Sequence, residues 1–150
     1  MLGCTCNTLQ LSRLETWQTQ IAIPLLKLYP WGLLKRQMVE ASAIDVRARS
    51  YLAGVFDRIS KQDFIAVMAE LTQILHCEPG YRIAQPLLLT HGDRDMTGNI
   101  QKIAAVWANR EPNCQYRVIP HAGHAANLDN PECFNRLLLD FLHECVPAAS

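Results

Sequence analysis

Two short turns carry the side chains that could do chemistry. The first is Gly92-Asp93-Arg94-Asp95, directly after the apolar run Pro86–Thr90. The second is Gly123-His124, shortly after the alternating stretch Cys114–Ile119. A carboxylate beside an imidazole holds the ring in one tautomer and stabilises the imidazolium once it forms. The ring can then take a proton from a nucleophile and return it to a leaving group. An acid of the first turn and a histidine of the second are the candidates for those two roles. Asp93 is expected to be a turn residue bonding its own backbone, and His121, which follows no glycine, a loop residue. Either turn alone would be an ordinary solvated turn. Their combination is specific, because the interval between Asp95 and His124 has room for one helix and one strand, which would return both turns to the same sheet edge.

The same side chains allow a metal reading. His91, Asp93, Asp95, His121 and His124 are ligand types that zinc or iron accepts. Nothing sets two of them on one helix face at i, i+4, so no metal is assigned. Asp93-x-Asp95-x-Thr97-Gly98 has the opening of a calcium loop, but its twelfth position is Ala104 instead of a bidentate Glu and a strand precedes it.

The elements that must position these turns are legible from pattern. Pro86–Thr90 has no alternation, as expected of a parallel strand covered on both faces. Thr97, Gly98 and Asn99 lead into a helix with Ile100, Ile103, Ala104 and Trp107 on one side. Glu111-Pro112-Asn113 is a return loop, and Cys114–Ile119 a strand with Tyr116 and Val118 on one face. Asn130 should cap a helix that starts at Pro131 and carries Phe134, Leu137, Leu138, Phe141 and Leu142.

Upstream, residues 9–74 read as helices almost without strand signal. Leu11, Leu14, Trp17 and Ile21 keep helical spacing, and Pro24 is expected to kink or end that helix. Pro30 suits the first turn of the next helix, through Trp31, Leu34 and Met38. A third, at about 45–59, carries Tyr51, Leu52, Val55, Phe56 and Ile59. Ser60 and Asp63 resemble a capping box for a fourth, whose stripe is Phe64, Val67, Met68, Leu71 and Leu75.

Taken together, the strand with its Gly92-Asp93-Arg94-Asp95 turn, the Gly123-His124 turn and the Asn130-Pro131-Glu132 helix start resemble the C-terminal part of an α/β-hydrolase. There the catalytic Asp and then the catalytic His follow the nucleophile in chain order. The resemblance implies an α/β fold comprising part of the hydrolase architecture: a core-strand stub at 1–8, a helical cap at 9–78, and the last two parallel strands with flanking helices at 79–150. It assigns Asp95 and His124 to a Ser-Asp-His triad. No G-x-S-x-G elbow occurs in the chain, so the nucleophile is not encoded here; Cys4 and Cys6 lack the flanking small residues and sit on the wrong strand. The implied reaction is acyl transfer to water through a serine ester, without cofactor. Leu25, Leu26, Trp31, Leu33 and Leu34 of the cap would line a pocket for a small apolar ester or acyl substrate. The competing expectation from another class is a non-catalytic binding or interaction module that keeps the cap pocket.

Composition bounds the rest. The 150 residues fit one domain able to bury a core, with 49% hydrophobic and 19% charged residues. With 14 basic and 14 acidic residues and no basic run, nothing supports nucleic acid as partner. The most apolar run, at residues 21–34, is interrupted by Pro24, Lys27 and Pro30 and is too short for a membrane span. No charged-then-apolar leader argues for export, so the expectation is a cytoplasmic protein with its 6 cysteines as free thiols. Two strands and a stub would leave a sheet edge, so self-association or pairing with a front half is expected there.

Overall fold

The computed structural model describes residues 12–73 and 78–145. The expected strand stub, Leu11 and Leu75 lie outside them. The helical part consists of α1 (Arg13–Leu28), α2 (Trp31–Ser42), α3 (Val46–Phe56) and α4 (Lys61–Gln73). The first packs on α4 and the second on α3. Phe64 ties them together, its ring 5.5 Å from Trp31 and 6.1 Å from Phe56 between centroids. Leu34, Val39, Ala48 and Phe64 are buried.

Local capping explains where these helices begin. Asp45 accepts the N–H groups of Arg47 and Ala48 at 2.8 and 3.1 Å, an N-cap of the kind that contributes about 1 kcal/mol. Ser60 Oγ accepts the Asp63 N–H at 3.1 Å and donates to its carboxylate at 2.6 Å, so this pair opens α4 as expected.

Pro24, however, does not end its helix. The chain stays helical for four residues beyond it, to Leu28. A proline removes only one helix bond, and here the far end is held from outside: Lys61 Nζ donates to the carbonyls of Lys27 and Tyr29 at 2.6 and 2.8 Å. The apolar stripes are also less buried than their spacing suggests. Leu14, Trp17, Tyr51, Val67 and Leu71 are exposed, because helices packed in two pairs cover only part of each apolar face.

The second part is a β1 (Leu87–Gly92), α5 (Ile100–Arg110), β2 (Cys114–Ile119) unit, followed by the single-turn α6 (Ala126–Asp129) and α7 (Pro131–Cys145). The two strands are parallel, paired from Leu87 with Cys114 to Gly92 with Ile119. β1 runs two residues beyond the apolar stretch because His91 and Gly92 continue the ladder opposite Val118 and Ile119. All six of its residues are buried.

On one face Leu87 and Leu89 meet Ala104 and Trp107 of α5; elsewhere Ile119 and Ala122 pack with Ala126 and the Phe134–Leu137 side of α7. Leu89 is almost inaccessible at 1%. Truncating it to alanine should cost about 2–5 kcal/mol, the range for emptying a packed core site, read as a lower urea midpoint.

Polar groups fix the entries to this unit. Asn130 Oδ1 accepts the Cys133 N–H at 3.1 Å as the cap of α7, while its amide donates to the Pro120 carbonyl at 3.0 Å. Glu111 is buried, yet both oxygens are used: one accepts the Trp107 indole N–H at 3.2 Å, the other the Ile83 N–H at 2.8 Å. Cys114, Cys133 and Cys145 are free thiols. No described helix is long and apolar enough to cross a membrane.

Candidate active site

Because Gly92 stands opposite Ile119, the turns that leave β1 and β2 start level with each other at one sheet edge. That register brings Asp95 and His124 together. The Asp95 side chain is fully buried, with Oδ1 accepting the Thr97 N–H at 2.8 Å and Oδ2 facing His124 Nδ1 at 3.1 Å. The His124 side chain remains 34% accessible. A carboxylate at Nδ1 selects the tautomer with its proton there, which leaves Nε2, on the opposite side of the ring, as the basic nitrogen.

The two turns are clipped together by more than this pair. Asp93 and Arg94 donate their N–H groups to Ile119 and Ala122 carbonyls, both at 2.9 Å. Asp93 Oδ1 accepts the Ala122 N–H at 3.0 Å. Asp93 is therefore not the self-bonded turn residue its sequence suggests; it joins its own turn to the histidine turn. Gly92 is required by the same closeness, since a Cβ there would lie 2.1 Å from the Ala122 carbonyl oxygen and 2.2 Å from that of Gly123. His121, in the loop as expected, has a left-handed φ of 55° and its Nδ1 lies 3.2 Å from Arg94 Nη2.

Loss of water around Asp93 opposes its charge. The backbone N–H groups of Ala122 and His121, with Arg94 and His121 nearby, outweigh that loss and hold the carboxyl below the ordinary range. With the folded value below the unfolded one, the unfolded chain binds more protons between the two. The stability from this contact is then present above the ordinary range and lost as pH falls through the lowered value. Asp93→Asn keeps an acceptor for Ala122 and removes the charge. It should flatten the loss of stability between about pH 5 and pH 2, measured as urea midpoint against pH.

His91 has a different task. It is buried, with Nδ1 2.7 Å from the Gly92 carbonyl and Nε2 2.6 Å from the Tyr116 hydroxyl. Nδ1 must donate to the carbonyl, so Nε2 accepts from the phenol, which burial pushes up toward its protonated form. Both ring nitrogens are engaged in the core. Among the described residues no group of three or more His, Cys, Asp or Glu side chains could hold a metal ion.

Of the side chains expected around a substrate, Leu34 is buried, Trp31 and Leu26 are half-buried, and Leu25 and Leu33 are exposed. A cavity of about 650 Å³ opens between α2 and α3, lined among others by Lys35, Val39, Arg49 and Phe56, and not by those five residues. Sequence reasoning missed Asp129. It accepts the Gly123 N–H at 2.7 Å and, with its other oxygen, the N–H groups of Ile44 and Asp45 at 2.9 Å. Nothing in its spacing marks it, because two of its three partners, Ile44 and Asp45, lie far away along the chain.

A parallel β1–α5–β2 unit with an acid after the first strand, a histidine after the second and a closing helix defines the C-terminal portion of an α/β-hydrolase fold. Comparison with solved structures agrees. The chain superposes with a TM-score of 0.58 on a protein of Mycobacterium tuberculosis described as the non-heme bromoperoxidase BpoC, at 21% identity over 91% of this chain and 55% of that one. A thermophilic esterase from Thermogutta terrifontis matches with a TM-score of 0.59 at 17% identity, over 92% of this chain and 53% of that one. By sequence, 87 residues are 33% identical to a Synechocystis protein described as a non-heme chloroperoxidase, covering 52% of this chain. The chain spans about half the length of these solved relatives, and the match takes in 32% of the Synechocystis protein. No protein-family model matches the chain.

Proposed function

We propose that the chain is the C-terminal part of a serine hydrolase of the α/β fold, with His124 as general base and Asp95 as its orienting acid. The observation that carries this reading is the buried Asp95 carboxylate, shared between Thr97 N–H and His124 Nδ1, under a ring that stays partly open. Nε2 would take the proton of a serine as it attacks an ester carbonyl, and return it to the leaving alcohol. The serine and the oxyanion donors, each such donor worth about 10²–10³-fold in rate, lie outside this chain in the proposal. Helices α1–α4, within residues 9–78, would be the cap, with Leu25, Leu26, Trp31 and Leu34 toward the acyl group. The esterase among the structural relatives supports an ester or related acyl substrate.

The test is to express the chain together with the polypeptide encoded in frame upstream of Met1 and to follow p-nitrophenyl butyrate hydrolysis. Turnover that is absent from the 150-residue chain and abolished by His124→Ala supports the proposal. A stop codon closing the frame directly upstream, with apolar ligands bound but not turned over, would favour a binding module in its place.

A further inference from the structure

We infer that Asp129 is a positioning residue that couples the α2–α3 corner to His124. Its two oxygens face opposite ways. Oδ2 accepts the Gly123 N–H at 2.7 Å, directly before the histidine, and Oδ1 accepts Ile44 and Asp45 N–H at 2.9 Å, directly before α3. On the other side of His124, the Ala125 N–H donates to the Ser42 carbonyl at 2.7 Å, at the end of α2. Both sequence neighbours of His124 are thus bonded to the same corner, one directly and one through a single carboxylate.

The packing is close enough to transmit displacement. A Cβ on Gly123 would lie 3.2 Å from Asp129 Oδ2 and 3.4 Å from both Ile44 Cγ1 and the Ser42 carbonyl oxygen. A ligand that moves the α2–α3 corner must therefore move the peptide units carrying His124, and with them the 3.1 Å contact to Asp95. Asparagine is nearly the same shape but has one acceptor and an NH₂ that faces donors. It can satisfy Gly123 or the Ile44–Asp45 pair, not both. The coupling deepens the reading of His124 as the base and rests on it for its consequence in catalysis, though the geometry stands without it.

The experiment needs no turnover, so its failure is separable from failure of the hydrolase proposal. Asp45→Ala removes the side-chain cap of α3 and loosens the corner. In ¹H–¹⁵N spectra of the full chain, this change should shift the Gly123 amide and the His124 ring signals. In the Asp129→Asn background the Gly123 amide should no longer respond, the His124 signals keeping only what the Ser42–Ala125 bond transmits, and Asp129→Glu, which keeps both acceptor oxygens, should restore the Gly123 response. A Gly123 response that persists with Asp129→Asn, or is missing in the unaltered background, overturns the inference. Should Asp129→Asn not fold, hydrogen exchange decides. Asp45→Ala should accelerate the Ile44 and Gly123 amides by the same factor, and an unchanged rate at Gly123 overturns it.

Discussion

Asp95→Asn, in the chain joined to its serine-bearing segment, is expected to lower kcat by about 10⁴-fold, the scale seen when a triad acid is neutralised. The structure says how. Thr97 N–H holds one Asp95 oxygen at 2.8 Å, so an asparagine must keep its carbonyl oxygen there and turn its NH₂ toward His124 Nδ1. That nitrogen then accepts, the ring proton moves to Nε2, and the nitrogen that should take the serine proton is already protonated. The same shift can be read in the chain by itself. The ¹⁵N signals of His124 should show the proton on Nδ1 in the unaltered protein and on Nε2 after Asp95→Asn. A proton that remains on Nδ1, together with undiminished kcat, would remove Asp95 from the role proposed for it. Alanine at the same position would instead free the ring, with a smaller tautomer bias.

Gly92→Ala is expected to be the most destabilising single methyl in the described chain. The added carbon would meet backbone on every side, with Ala122 oxygen at 2.1 Å, Gly123 oxygen at 2.2 Å and Ala122 carbonyl carbon at 2.5 Å. No side chain can turn away to make room, so one peptide chain must retreat from the other. Retreat breaks the Arg94–Ala122 bond of 2.9 Å and the Asp93–Ala122 bond of 3.0 Å, and it separates Asp95 from His124. Overpacking usually costs about 1–3 kcal/mol, and a rigid backbone obstacle places this case at about 3 kcal/mol or above. Urea unfolding measures it directly. A loss under about 0.5 kcal/mol, the size of a neutral surface change, would show that the two turns are not held as closely as described.

The legible part of this protein was whatever is encoded over a few neighbouring residues. Cys114–Ile119 is the strand its alternation predicts, Asn130-Pro131 opens α7, and Ser60 opens α4. Each follows from local backbone preference and the period of apolar side chains. That Asp95 and His124 would meet at one sheet edge was also legible, since the end of a parallel strand is where a turn residue reaches that edge. The geometry of their meeting follows from the register of Gly92 with Ile119.

Contacts between distant segments decided the rest. Pro24 stays inside α1 because Lys61, far along the chain, holds the carbonyls beyond it. Tyr51, Val67 and Leu71 remain exposed although their spacing is helical, because periodicity gives a face but not the neighbour that would cover it. Asp93 bonds Ala122 across the two turns in place of its own backbone, and Asp129 joins Gly123 to Ile44 and Asp45. A carboxylate in a turn has the same letter whether it faces water or three backbone amides. Only the folded chain, by bringing those amides to one point, determines which it is.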